Sequence, residues 1–213
     1  AKLVIVAEPT DLDICPASVG EFYFRVEISG RSTSLANRHL NVHPQPIEEP
    51  VSGVNAIDKM WKVQGALLEL EREWGIWQRH PLMQPGNMNI NVSQIGGGTT
   101  FSALADHCWL VGSVLFNPSL SVDEVRAEFT SAIDSVAASD YWLRDHPPRL
   151  TLPHILDAKP PVNSSPSAPA SLAAVSAWRS VREAEPVLRC TSFTSDANYI
   201  VADNDVVVLT WGP

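Results

Sequence analysis

Apolar and polar residues alternate between Gly20 and Gly30, with Phe22, Phe24, Val26 and Ile28 on one face and Tyr23, Arg25 and Glu27 on the other. A period of two predicts a strand with one buried face. From Val54 to about Trp74 the period lengthens. Ile57, Met60, Trp61, Leu67 and Leu68 fall at helical spacing among Glu, Lys and Arg, which predicts a long amphipathic helix. Alternation returns where Met88, Ile90 and Val92 interleave with Asn89, Asn91 and Ser93. The Gly96-Gly97-Gly98 run then turns this second strand into a third, from about Ser102 to Phe116. Ser121-Val122-Asp123-Glu124 has the form of a capping box and opens a helix to about Ala138. Leu150 to Ile155 supplies a fourth strand. The order βαββαβ predicts a split pair of βαβ units on one antiparallel sheet, the ferredoxin-like arrangement.

The two ends of the chain add a smaller set of elements. A strand at Leu3–Ala7, a Pro- and Ser-rich linker from Lys159 to Ala170, a helix near Ser171–Ala184, a strand near Val187–Cys190, a helix from Ser195 to about Val201 and a strand at Val206–Thr210 predict a second α/β layer. The expected fold class is therefore α+β, with residues 20–158 forming a ferredoxin-like unit inserted between residues 1–19 and 159–213. In the third strand Cys108, Leu110, Val114 and Phe116 make one apolar row while Trp109, Val111 and Leu115 make another. Both faces of that strand are expected to be covered, by the helices on one side and by the second lobe, another chain or an apolar ligand on the other.

Length and composition narrow the classes. At 213 residues, 45% of them hydrophobic, the chain can bury one large core or two small ones. No apolar run approaches the roughly 20 residues that span a bilayer, and no basic-then-apolar leader opens the sequence. The expectation is a cytoplasmic protein with no membrane contact. The net charge of −9, with 15 scattered Lys and Arg, argues against a nucleic-acid partner, which needs clustered positive charge. Cys15, Cys108 and Cys190 are too few and too far apart for a disulfide framework or a ligand set, and read as buried thiols.

Four short motifs, in this order, carry a resemblance: Ala7-Glu8-Pro9-Thr10, Gly53-Val54-Asn55-Ala56-Ile57, Gly97-Gly98-Thr99-Thr100 and Ser195-Asp196-Ala197. Together they resemble the middle and C-terminal part of the acetylornithine deacetylase, succinyl-diaminopimelate desuccinylase and aminoacylase family of zinc metallopeptidases. The resemblance implies a catalytic domain interrupted by a lid domain that dimerises. In those terms residues 20–158 are the lid, and the two ends are a reduced α/β remnant of the catalytic domain. It also implies one metal-ligand position, Glu8, the family's other ligands belonging to segments these 213 residues do not contain. A single carboxylate cannot hold zinc, which takes about four ligands.

The resemblance further implies substrate-facing positions in the lid, and these have changed. The lid histidine that reaches across the family dimer aligns with Ser34, the asparagine of the lid turn with Ser102, and the arginine facing a substrate carboxylate with Leu115. Strong donors aimed at developing charge are what such a site works with. Their loss leads to the expectation of a degenerate relative without the zinc site. Such a protein needs no cofactor and is repurposed to bind or transform a small, fairly apolar molecule beside Ser34, Ser102, Trp109, Leu115 and Asp196. Two alternatives stay open: half of a split or truncated zinc-dependent amidohydrolase completed by a second chain, and a structural dimerisation module. His39 and His43 are the acid–base candidates, since imidazole titrates near neutrality. Their i, i+4 spacing suits a helical metal pair, but Pro44 and Pro46 oppose a helix there. A homodimer is expected through the strand Met88–Ser93, which has neither proline nor like charges to protect its edge.

Overall fold

The computed structural model describes residues 3–39, 52–182, 184–203 and 206–213. Its elements, in chain order, are β1 (Leu3–Val6), β2 (Ile14–Ser18), β3 (Gly20–Ser29), α1 (Ala56–Trp77), β4 (Asn89–Gly97), β5 (His107–Phe116), α2 (Val122–Ser139), β6 (Arg149–Thr151), β7 (Val162–Asn163), α3 (Pro169–Arg182), β8 (Leu188–Thr191), α4 (Asp196–Asp203) and β9 (Val207–Thr210). Among the described residues they build two sheets and three clusters of buried apolar side chains.

The larger sheet is four-stranded and antiparallel, in the spatial order β4-β5-β3-β6. Its central pair runs unbroken from Gly20 opposite Phe116 to Ser29 opposite His107. The alternation of β3 does what the pattern asks: Phe22, Phe24, Val26 and Ile28 are fully buried beneath α1 and α2. Phe129 from α2 closes this core, its ring 4.7 Å from that of Phe24 and edge-on to Phe22 at 5.9 Å. Helix α1 starts on Asn55, whose side chain accepts from Ile57 N–H, and α2 starts on the capping box of Ser121 and Glu124.

The smaller sheet runs β1-β9-β2-β7, with β8 also paired to β2. Adjacent residues of β9 face opposite ways. Leu209 packs with Ile14, Ala174 and Val175 under α3, and Val208 packs with Val162 and Ala197 under α4. Asn198 of α4 is fully buried where this sheet meets β3. Its amide donates to Val19 O at 2.9 Å and Pro160 O at 2.8 Å, and its carbonyl accepts from Ser195 N–H at 2.9 Å. Asn198→Leu removes all three bonds from a fully buried position and puts an apolar side chain against those polar groups. A loss of about 3 kcal/mol in urea unfolding is expected.

Several boundaries differ from the sequence expectation. The third strand starts at His107, because residues before it pair elsewhere: Leu104 N–H donates to Thr33 O and Ala56 N–H to Ala105 O. Gly98, at φ +74°, is where the chain leaves β4. Gly96 and Gly97 stay in the strand, and a Cβ at Gly96 would lie 2.8 Å from the Trp109 ring. The fourth strand ends at Thr151, ahead of Pro153 and of Ile155 at φ 76°. Strands β2 and β7 add to the expected elements, and β2 contains Pro16. The β2–β8 register shifts between Ile14 and Ala17, which accommodates the missing N–H.

Candidate functional site

The turn that carries Glu8 is built against the end of the chain. Trp211 N–H donates to Val6 O, and both Thr10 N–H and Leu12 N–H donate to Gly212 O, at 3.2 and 2.9 Å. Thr10 is buried, with its hydroxyl donating to Asp13 O at 2.7 Å and accepting from Gly212 N–H at 3.1 Å. Any Cβ at 212 would fall 2.5 Å from Glu8 O, so this approach requires glycine. Asp11 and Leu12 both take positive φ, 52° and 66°, a strained pair held by these bonds and by Arg189, which donates to Thr10 O and pairs with Asp13 at 3.0 Å. Glu8 is half-buried at the head of this turn.

At the junction of the two sheets, Glu21 is the hub. Its carboxylate accepts from Thr194 Oγ1 at 2.9 Å and lies 3.4 Å from Lys159 Nζ, while the Glu21 and Lys159 backbones exchange hydrogen bonds of 3.0 and 2.8 Å. Burial, followed by the nearby Glu21, pushes the Tyr23 phenol up, so it stays a donor. Leu115 sits directly across from Glu21 on one side and Asn89 on the other. Asp196 is close by in sequence, exposed in the first turn of α4. Ser195 provides the cap there, accepting from Ala197 N–H.

The face of the larger sheet away from the helices is only partly covered. Trp109, Ser113 and Leu115 are half-buried there, and only Val111 of that row is buried. Both of its immediate neighbours explain why Trp109 lies flat: the Arg25 guanidinium sits 4.8 Å over its ring, and Gly96 leaves space beneath it. Arg25 in turn pairs with Glu27 at 3.0 Å and holds that carboxyl below its ordinary range.

Ser34 and Ser102 meet at the opposite end of β3. Ser34 bridges Ala103, and Leu35 N–H donates to Ser102 O at 2.9 Å. The lid candidates thus fall into two groups, Leu115 with Asp196 around the junction and Ser34 with Ser102 at the tip, with Trp109 between them opposite Glu27, while Glu8 stands apart at the turn beside Gly212. Ten residues of β3 separate the groups, about 30 Å of extended chain. His39 lies beyond the tip, exposed, with Nδ1 3.0 Å from Ala36 O. His43 lies outside the described residues. Among the described residues no three His, Cys, Asp or Glu side chains come together as a metal-binding group. Burial pushes the Cys190 thiol up to about 12 and the Cys15 thiol up as well, which favours the protonated thiol in both. Sequence reasoning did not single out Glu21, Lys159, Thr194 or Phe101. Only Phe101 left a trace, as a large apolar residue in a Gly- and Thr-rich turn.

Residues 43–140 match the family model described as the peptidase dimerisation domain. An acetylornithine deacetylase of Buchnera aphidicola is 23% identical over 133 residues, covering 62% of this chain and 32% of the relative. N-formyl-4-amino-5-aminomethyl-2-methylpyrimidine deformylase of Bacillus subtilis is 29% identical over 167 residues, covering 76% of this chain and 39% of the relative. The deformylase of the same name from Halalkalibacterium halodurans is 38% identical over 96 residues, 45% of this chain and 22% of the relative. Among solved structures, an aminopeptidase PepT from Bacillus cereus matches 100% of this chain and 49% of its own, at a TM-score of 0.66 and 16% identity. A Staphylococcus aureus tripeptidase matches 100% and 48%, at 0.69 and 11% identity. These last two share the fold. The chain spans well under half the length of the deformylases it matches and about half that of the solved enzymes. Among the described residues no helix is long and apolar enough to cross a membrane.

Proposed function

We propose that these residues are the lid-bearing portion of an amidohydrolase that removes an N-acyl group, a formyl group in the first instance, from a small heteroaromatic amine without a carboxylate. In this reading the four-stranded sheet with α1 and α2 is the ferredoxin-like lid, residues 20–158, and residues 1–19 and 159–213 belong to the catalytic lobe. The observation that carries the reading is Leu115 between Glu21 and Asn89. An arginine there serves a substrate carboxylate, and the compound named for the two deformylase relatives, a formylated aminopyrimidine, has none. A carboxylate in that place would instead meet Glu21 and be repelled. Leu115 thus marks a change of substrate rather than the abandonment of hydrolysis that the sequence pattern suggested.

The residues present do not by themselves fit zinc. Glu8 is a hard anionic donor presented beside Gly212 and Pro213, and zinc needs about three further ligands, which this reading draws from residues beyond these 213. No step of the reaction is derived through the metal. What this chain contributes is the fixed Glu8 turn, the Tyr23 and Glu21 junction, and the Ser34–Ser102 tip. The test uses the longer protein carrying these residues, or this chain together with a complementing one. Zinc content near one per site and release of formate from the formylated aminopyrimidine are expected, with both falling at least about a hundredfold in Glu8→Gln. Zinc retained in full by Glu8→Gln would overturn the assignment of Glu8. A protein that takes up no zinc and releases no formate would return the repurposed, metal-free reading to first place.

A further inference from the structure

Phe101 is exposed at 107%, its ring uncovered among the described residues, yet the loop that presents it is firmly held. Gly30 N–H donates to Asp106 O at 2.7 Å, Ala56 N–H to Ala105 O at 2.8 Å and Leu104 N–H to Thr33 O at 2.9 Å. These bonds fix both shoulders of the loop to the end of β3 and the start of α1. Beside the ring is a depression of about 310 Å³, lined by Asn55, Ile57, Gly98, Thr99, Ala103 and Ala105 as well as Phe101. That size is at the lower end of small-molecule sites and suits a single ring better than a peptide. None of the lining side chains carries a charge. Ile57 and Ala105 offer an apolar floor, and Asn55, Thr99 and Thr100 offer polar groups at its rim.

We infer that this depression, with Phe101 as its wall, is the subsite for the substrate's ring: a flat, uncharged six-membered heteroaromatic that stacks on the exposed phenyl face. The inference rests on the amidohydrolase reading and deepens it, by naming the side chain that selects the ring. Two features on the same tip support it. Ser102, adjacent to Phe101, and Ser34 are the positions that the family resemblance sets against substrate. Gly98, at φ +74°, folds the loop back so that the ring stands beside the cavity. Stacking on an aromatic face tolerates many heteroaromatic rings, so selectivity for ring over chain comes from Phe101 and finer choice from the polar rim.

The test titrates the protein with 4-amino-2-methylpyrimidine, an uncharged fragment of the compound named for the relatives, and follows ligand-observed NMR. A dissociation constant in the millimolar range is expected for wild type, about tenfold weaker for Phe101→Ala and restored by Phe101→Tyr. Phe193→Ala, which removes another exposed ring, should leave it unchanged. Absence of binding to wild type, or equal binding by Phe101→Ala, overturns the subsite. So does a Phe101→Ala protein that sediments as a smaller species, because the ring is then an interface residue. Binding that tracks Phe101 in a protein that releases no formate keeps the subsite and removes the amidohydrolase reading. Formate release with an unchanged KM in Phe101→Ala does the reverse.

Discussion

Asp140→Ala is expected to cost the larger lobe about 3–5 kcal/mol, the largest loss from any single substitution considered for this chain. Asp140 is 1% exposed and is the C-cap of α2. Its carboxylate accepts from Lys59 Nζ at 2.9 Å, Lys62 Nζ at 2.6 Å, Trp142 N–H at 2.9 Å and Leu143 N–H at 3.1 Å. It therefore joins the start of α1 to the end of α2 and orders the turn after α2. Burial pushes its carboxyl up, but the Lys62 and Lys59 ammonium groups and the two N–H donors outweigh that and hold it well below the carboxylate range. Removing the anion leaves Lys59, 6% exposed, as a buried cation with the Tyr141 ring, 4.0 Å away, as its remaining partner among the described residues. That stranded charge, more than the lost pair, makes the cost large. Lys59→Met in the Asp140→Ala background should recover part of it, since the methionine fills the space without a charge.

The pH dependence follows from the sign of the shift. A carboxyl depressed in the folded state contributes stability that is present above its unfolded pKa, near 3.8, and lost as pH falls through the folded value. The stability difference between wild type and Asp140→Ala should accordingly stay level from neutral pH to about pH 5 and shrink in stronger acid. Urea unfolding of both proteins across that range measures it. A difference below about 1 kcal/mol at neutral pH would mean that the network orders the turn without stabilising the fold.

The contrast between Asp140 and β3 shows what a sequence reveals. The strand was legible because its signal is a local period, and burial of Phe22 through Ile28 depends on nothing but that period and a covering layer. The helices were legible for the same reason, and the capping box at Ser121 placed its helix start to within a residue. Asp140 was not legible, because its partners Lys59 and Lys62 lie some 80 residues away and no pattern near Asp140 marks them. Glu21, Lys159 and Thr194 share that difficulty, being collected from three distant segments by the sheet junction. Strand β2 failed for a different reason. A five-residue, wholly buried strand containing Pro16 has no alternation to display. Of the candidate site, Ser34 and Ser102 meet at one tip, but Leu115, expected beside the same small molecule, lies at the other end of β3. Motif order along the chain does not show that a whole strand separates them.

That separation makes the oligomer decisive. Trp61→Glu is expected to raise the dissociation constant of a homodimer at least about thirtyfold, the scale of losing one interface anchor. Strand β4 is the free edge of the larger sheet, and α1 lies over it. On the outer side of α1 Trp61 is 64% exposed and Leu68, seven residues on, 40%, while Ile95 of β4 is 51% exposed. An unprotected edge strand flanked by such side chains suits pairing with a second copy about a twofold axis. Glu71 already accepts from Ile90 N–H at 3.0 Å, covering one outward donor and limiting the pairing to the rest of the strand. Sedimentation velocity of wild type and Trp61→Glu over a concentration series checks this, and a wild type that stays monomeric at tens of micromolar would sink it. Turnover offers a second measure. The Ser34–Ser102 tip stands about 30 Å along β3 from the lobe bearing Glu8, so under the proposed amidohydrolase reading a tip that acts on substrate does so against the partner's Glu8-bearing lobe. In the longer protein carrying these residues, mixing a Glu8→Gln variant with a Ser102→Trp variant, each inactive alone, should then restore about a quarter of wild-type turnover, because half of randomly exchanged dimers carry one intact site of two. Recovery of nothing would place each tip with its own lobe and require β3 to bring the lid down within a single chain.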